Sequence, residues 1–358
     1  MALHFHKVTV KDIRRETADC VSVGFDIPPE LAEQFLFKQG QSLTVRIFNK
    51  EEEIRRSYSI CSSPLENELR VAVKRVQGGL FSTFANTDLK PGDTIEVMPP
   101  SGNFYTELSD GNAKGYLAFA AGSGITPLLS IITTTLATEP GSSFTLVYGN
   151  KNTSSIIFKE ALEALKNRYM QRFVMVNVLS RERTESTLNY GRIDSVKCTE
   201  LSKLFDLKLF DEYFICGPET MIFDIKDHLE SLGISKNKIH FELFTTPVRK
   251  SYNVIGLDEK TDNTNSSVIT VKVDGRTFDF NLDFNSNNIL DAALAEGADL
   301  PFACKGGVCC TCKARLIEGE VEMEVNYGLE PDEVEAGFIL TCQSHPRTVK
   351  VVVDYDVK

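Results

Sequence analysis

The sequence predicts a three-part chain: an antiparallel β-barrel, then an α/β unit on a parallel sheet, then a small α+β domain. Three observations carry this reading. Short strand-like runs separated by turns fill residues 1–111, and strand–helix alternation takes over from 112 to 244. Five of the nine cysteines then fall within 39 residues near the C-terminus. A length of 358 residues suits two or three domains of about 150 residues each.

In the first block, alternation and β-branched content predict strands at 5–13, 20–27, 42–48, 54–61, 68–76 and 94–98. Pro91-Gly92-Asp93 is a turn signal before the last. Six short strands with little helix make a barrel. In the second block, apolar runs at 115–121, 143–148, 173–179 and 212–216 read as buried parallel strands. Helix-like stretches at 154–168 and 218–232 lie between and after them. Residues 245–267 are polar and without period, which predicts a linker. From 268 to 358 come a hairpin turning at Asp274-Gly275, a helix near 289–296, the cysteine loop, and strands near 312–317 and 349–353.

Composition narrows the function classes. Acidic residues exceed basic ones by 50 to 39, a net charge of −11, which argues against nucleic acid or an anionic membrane as the main partner. The start, MALHFHKVTVKDIRRE, has no signal-peptide core. Gly, Ser, Thr and Pro interrupt the longest apolar stretch, 116–132, so it is no membrane span. The expectation is a soluble cytoplasmic protein. Residues 268–358 hold 16 acidic against 8 basic residues, so the last domain carries most of the charge. Its Glu318, Glu320, Glu322 and Glu324 alternate, and on one extended strand all four would share a face, a candidate docking strip. Metalloprotease, Walker and nucleophile-elbow motifs are absent.

Cys304-x4-Cys309-x2-Cys312, followed 30 positions later by Cys342, is the plant-type 2Fe–2S spacing. Four thiolates must converge on two irons, so a short loop supplies three and a distant strand returns the fourth. Gly306 and Gly307 let the loop backbone curl close. Structural zinc is the competing reading, but zinc sites pair their ligands as two short knuckles. Cys310 lies between ligands and is read as a non-ligand.

Four further segments have to be weighed together. Arg56, Tyr58 and Ser59 lie in a barrel strand, a cation, an aromatic ring and a hydroxyl close together. Alone, this segment reads better as an exposed strand carrying basic and aromatic residues. Gly79 and Ser82 mark a turn into a helix whose amides can face pyrophosphate. Gly122, Gly124, Thr126 and Pro127 form Gly-x-Gly-x-x-Pro after the first parallel strand, departing from the Rossmann Gly-x-Gly-x-x-Gly. Cys216, Gly217, Pro218 and Met221 close the block. The departure and the order of these segments resemble ferredoxin–NADP reductase-like flavoproteins. That resemblance implies Arg56, Tyr58, Ser59, Gly79 and Ser82 toward FAD. It places Gly122, Gly124, Thr126, Pro127, Gly217, Pro218 and Met221 toward the nicotinamide nucleotide, with Tyr58, Ser59 and Cys216 at the hydride-transfer site. Relatives using NADPH often have Ser-Arg after the third strand; Ser180 and Arg181 stand there, which favours NADPH over NADH.

The stretch GEVEMEVNYGLEPDEVEAGFILTCQSHP resembles plant-type ferredoxins, implying a β-grasp-like fold. In this order, the three parts are similar to reductase components of multicomponent oxygenases, among them the reductase subunits of ring 1,2-epoxidases. The resemblance implies FAD, one 2Fe–2S cluster and a di-iron oxygenase as electron acceptor. A ring hydroxylase as acceptor, or a redox-sensing role without turnover, are the alternatives.

Overall fold

A computed structural model describes residues 4–49, 52–244 and 266–357. They form two compact units, Phe5–Phe244 and the C-terminal part from residue 266 onward.

The first unit opens with β1 (His6–Thr17) and β2 (Cys20–Asp26), then β3 (Ser42–Asn49), β4 (Glu52–Ser59), β5 (Leu69–Lys74), helix α1 (Leu80–Thr87) and β6 (Thr94–Val97). The strands pair in the order β4-β3-β6-β1-β2-β5, all antiparallel. A bridge between Ile60 and Val71 joins the two ends, so the sheet closes as a barrel. Alternate residues such as Val8 and Val10, Val21 and Val23, and Val71 and Val73 fill the interior. Each such burial is worth about 1.5–3 kcal/mol.

The same unit continues as β7 (Gly115–Ala121), α2 (Ile125–Thr138), β8 (Ser143–Asn150), α3 (Lys159–Arg168), β9 (Phe173–Leu179), α4 (Ser195–Leu201), β10 (Glu212–Gly217), α5 (Glu219–Ser231) and β11 (Ile239–Leu243). The five strands are parallel in the order β11-β10-β7-β8-β9. The order reverses beside β7, and in open α/β sheets ligands bind where that happens, beyond the strands' carboxyl ends. One expectation fails: residues 154–168 are not a single helix. Ile156, Ile157 and Phe158 are consecutive buried residues, an arrangement no one-sided surface helix offers, and Phe158 takes φ +58° before α3 starts.

Barrel and parallel sheet share a core. Cys20, Cys61 and Ala72 of the barrel belong to one apolar cluster with Ile125, Leu128 and Ile132 of α2. Two buried hydroxyl contacts pin the junction: Ser63 Oγ to Thr134 Oγ1 at 2.8 Å, and Ser130 Oγ donating to the Ser62 carbonyl at 2.6 Å.

The second unit holds β12 (Ser266–Val273), β13 (Arg276–Asp283), α6 (Ile289–Ala295), β14 (Lys313–Glu318), β15 (Val321–Met323), α7 (Pro331–Glu335), β16 (Phe338–Leu340), β17 (Ser344–Pro346) and β18 (Lys350–Asp354). A mixed sheet runs β13-β12-β18-β14-β16, with only β12 and β18 parallel, and β15 pairs with β17 separately. The hairpin turns where predicted, with Asp274 at φ +50° and Gly275 at φ +70°, two left-handed residues as a tight hairpin requires. Ile289, Leu290 and Ala293 seat α6 in the same core as Ile269, Val271 and Val351.

Of the expected linker 245–267, residues 245–265 lie outside the described residues, while Ser266 and Ser267 already belong to β12. The glutamate strip is corrected. Glu318 ends β14, Gly319 turns the chain at φ +89°, and only Glu322 of the other three lies within β15. Glu318 pairs with Lys350 at 2.7 Å, Glu322 with Arg347 at 2.6 Å, and Glu324 with His345 at 2.9 Å. A left-handed glycine interrupts the extended backbone, so the four never share one strand face. No helix among the described residues is long and apolar enough to cross a membrane.

Candidate active site and metal centre

The crevice at the reversal point is built by close backbone approach. Gly122 takes φ +54°, and the Tyr148 hydroxyl donates to its carbonyl at 2.9 Å. Gly124 has ordinary helical dihedrals, φ −61° and ψ −8°, so space and not conformation demands glycine. A Cβ there would stand 2.0 Å from the Cys216 carbonyl oxygen. The Gly-x-Gly loop after β7 thus lies against the Cys-Gly-Pro segment after β10. Thr126 is buried and donates to the Ser123 carbonyl at 3.0 Å, which fixes the turn. Pro127 occupies the first turn of α2, where a missing N–H leaves no gap in the helix bonding. Met221 folds over Gly217, its Cε 2.6 Å from where a Cβ would be, and Pro218 caps α5.

Three side chains converge on this crevice. Ser59, at the end of β4, donates from Oγ to Glu242 Oε2 at 2.9 Å. Glu242 lies on β11 in register with Cys216 on β10. Burial lifts the Glu242 carboxyl to about 7, against the Ser59 hydrogen bond that lowers it. Burial, and then the Glu242 charge, push the Cys216 thiol well above its ordinary range, so the sulfur stays neutral. The Tyr58 ring lies 5.3 Å from that of Phe81 of α1, tilted by 37°, and burial raises its phenol as well.

Other expected residues are placed less directly. Arg56 is exposed and donates to the Arg55 carbonyl at 2.7 Å. Gly79 stands where a Cβ would meet Ser82 Oγ at 2.5 Å. The Ser82 hydroxyl accepts from Val76 N–H at 3.1 Å and donates to the Gly79 carbonyl at 3.3 Å, closing the loop that enters α1. Ser180 and Arg181 follow β9, two strands or about 10 Å from β7; Arg181 is exposed, with its N–H held by the Lys151 carbonyl at 2.8 Å.

Sequence reasoning missed Glu242 and Lys74. The Lys74 ammonium lies 3.8 Å from the open side of Gly122, a cation beside the glycine loop. An acid amid the apolar residues of β11 was the available signal for Glu242.

In the second unit the loop cysteines come together with Cys342. Cys304 and Cys309 sulfurs are 3.1 Å apart, and the Cys342 thiol contacts those of Cys304 and Cys312. The Gly306 N–H donates to Cys304 Sγ at 3.3 Å. Hydrogen bonds from Cys309 and then Cys342 hold the Cys304 thiol far below its usual range, and those same contacts push Cys309 and Cys342 up. Lys305 at φ +51° and Gly307 at φ +74° curl the loop, and a Cβ on Gly307 would meet the Val325 carbonyl oxygen at 2.9 Å. Cys310 turns away, its sulfur 2.6 Å from the Gly328 carbonyl. Among the described residues no three His, Cys, Asp or Glu side chains are arranged for a single metal ion. Pairwise convergence of four thiols, with backbone N–H groups aimed at sulfur, fits a two-iron cluster.

These sites define the class: a flavin- and iron–sulfur-dependent oxidoreductase. Residues 7–106 match the oxidoreductase FAD-binding domain, 119–227 the oxidoreductase NAD-binding domain, and 271–347 the 2Fe–2S iron–sulfur cluster binding domain. The chain belongs to the same family as the E component of 1,2-phenylacetyl-CoA epoxidase from Escherichia coli K12. It is 47% identical to that protein, covering 99% of this chain and 98% of the relative. The ferredoxin reductase component of 3-ketosteroid-9-alpha-monooxygenase from Rhodococcus rhodochrous is 33% identical, covering 97% and 96%. Phthalate dioxygenase reductase shares the fold, with a TM-score of 0.59 at 23% identity over 98% of both chains.

Proposed function

We propose that this protein takes electrons from NADPH and delivers them, one at a time, to a di-iron oxygenase that epoxidises the ring of phenylacetyl-CoA in aerobic phenylacetate degradation. The observation that supports the reductase chemistry is the meeting of Ser59, Glu242 and Cys216 where the glycine loop touches the Cys-Gly-Pro segment. Likeness to the epoxidase component over nearly its whole length supports the acceptor. Flavin accepts hydride as an electron pair and a 2Fe–2S cluster carries single electrons, so together the two cofactors convert pairs to singles.

The chain's own residues prepare this. Gly122 and Gly124 admit the nucleotide to the reversal point, and Met221 closes its floor. Cys216 presents a neutral sulfur where the nicotinamide ring would lie. Glu242, held by Ser59, can hold or release a proton near pH 7. Arg56 and the backbone amides that open α1 after Gly79 would hold the flavin phosphates, and Tyr58 its ring. Cys304, Cys309, Cys312 and Cys342 would hold the cluster. Arg181, with Ser180, would favour NADPH through its 2′-phosphate. We assign the cytoplasm as its location, and residues 1–111, 112–244 and 268–358 as flavin, nucleotide and ferredoxin domains.

The test is reconstitution. Purified protein should show a flavin band with an iron–sulfur shoulder that bleaches with NADPH, and should support phenylacetyl-CoA turnover with the epoxidase's oxygenase component. Turnover only with a ring-hydroxylase oxygenase would reassign the acceptor. Retained cofactors that NADPH does not reduce would favour the sensing role.

A further inference from the structure

Beside the fourth cysteine stands a buried primary amide. Gln343 is 4% exposed, and its Nε2 faces three acceptors: the Cys342 sulfur at 3.6 Å, the Cys342 carbonyl at 2.7 Å and the Lys305 carbonyl at 3.2 Å. Its stem packs under the loop, with Cγ 3.1 Å from where a Cβ on Gly307 would lie. The amide therefore bridges the loop carrying Cys304 and Cys309 to the segment carrying Cys342. Nε2 has two hydrogens, so one serves Lys305 and the other is shared between the sulfur and carbonyl of Cys342.

We propose that Gln343 is a positioning residue that raises the reduction potential of the centre held by the four cysteines, by donating an N–H to the Cys342 sulfur. The proposal rests on the cluster reading above. Reduction adds one electron to a sulfur-rich, already anionic group. An N–H aimed at a ligand sulfur gains more from the extra charge than from the oxidised form, and burial away from water enlarges that difference. Backbone N–H groups reach these sulfurs whatever the side chains are, but this donor exists only because residue 343 is an amide. The bridge to Lys305 aims it: with the other hydrogen held by the loop, the amide cannot rotate away from the sulfur.

The experiment uses the full-length holoprotein and two variants, Gln343→Met, which keeps length without donors, and Gln343→Glu, which keeps shape. Readouts are iron and sulfide content, the cluster's equilibrium with a redox dye of known potential, and the electron paramagnetic resonance spectrum of the reduced protein. Q343M should retain iron while its equilibrium constant for one-electron reduction falls about 3- to 10-fold, tenfold being about 59 mV for one electron. Q343E should fall further, because a carboxylate there adds negative charge beside the sulfur instead of an N–H. The flavin potential should not move. Should Q343M alone lose iron, Q343E decides by the same criterion. Variants that keep iron with wild-type potential and spectrum overturn the proposal. Loss of iron from both also overturns it, because the residue then serves assembly. Wild-type protein without iron–sulfur absorbance would instead sink the cluster reading itself.

Discussion

Replacing Gly124 by alanine tests the crevice most directly. The added Cβ would lie 2.0 Å from the Cys216 oxygen, 2.4 Å from its carbonyl carbon and 2.9 Å from Gly217 N. All three are backbone atoms, so no rotamer change relieves the overlap, and the ends of β7 and β10 must part by more than about 1 Å to reach ordinary contact. Overpacking of this kind costs about 1–3 kcal/mol, and a shift of about 1 Å in the bound geometry can cost about 100-fold in rate. Anaerobic stopped-flow reduction of the flavin by NADPH should therefore slow about 100-fold, with flavin content and iron–sulfur absorbance retained. Gly122→Ala is the contrast. The nearest atom to its Cβ is the Lys74 ammonium at 3.8 Å, so only φ +54° opposes the change, a strain of about 1–2 kcal/mol. If Gly124→Ala reduces flavin at the wild-type rate, the crevice is not where nicotinamide reacts.

Three further outcomes are expected. Glu242 keeps its proton to about pH 7 in the folded state against 4.5 as the unperturbed value, so the native state binds more protons across that window and loses stability as pH rises through it. Chemical unfolding at pH 5 and pH 8 should show Glu242→Gln removing up to about 3 kcal/mol of that pH dependence; identical pH dependence in both proteins would place the titration elsewhere. Cys342→Ser should abolish the iron–sulfur absorbance and one-electron delivery while NADPH still reduces the flavin, and full delivery by the variant would refute the ligand assignment. Arg181→Ala should lower NADPH efficiency about 10- to 150-fold, the loss of one charge-assisted hydrogen bond, and NADH efficiency much less. Equal losses would remove Arg181 from cofactor choice.

What the sequence disclosed was local. The Cys304–Cys312 loop, the Asp274-Gly275 turn and the glycine loop after β7 each act within a few residues, and each stands where the sequence placed it. What it concealed depends on contacts between distant positions. Ser59 and Glu242 meet across 183 positions, and only the register of β10 with β11 brings Glu242 beside Cys216. Lys74 reaches the glycine loop because barrel and sheet share a core, which composition does not announce. The two failures have a common cause. Alternation at 318–324 and helical composition at 154–168 predict continuous elements, yet Gly319 and Phe158 each take a left-handed conformation that breaks the repeat.

The seam at Ser62–Ser63 and Ser130–Thr134 bears on how this architecture can be recombined. A barrel cut out at residue 111 would leave Cys20, Cys61 and Ala72 facing water, together with the two serines whose partners sit on α2. The portable piece is therefore the stretch from 5 to 244, inherited or transplanted whole. The ferredoxin, with its own core, is the part that a new partnership can exchange.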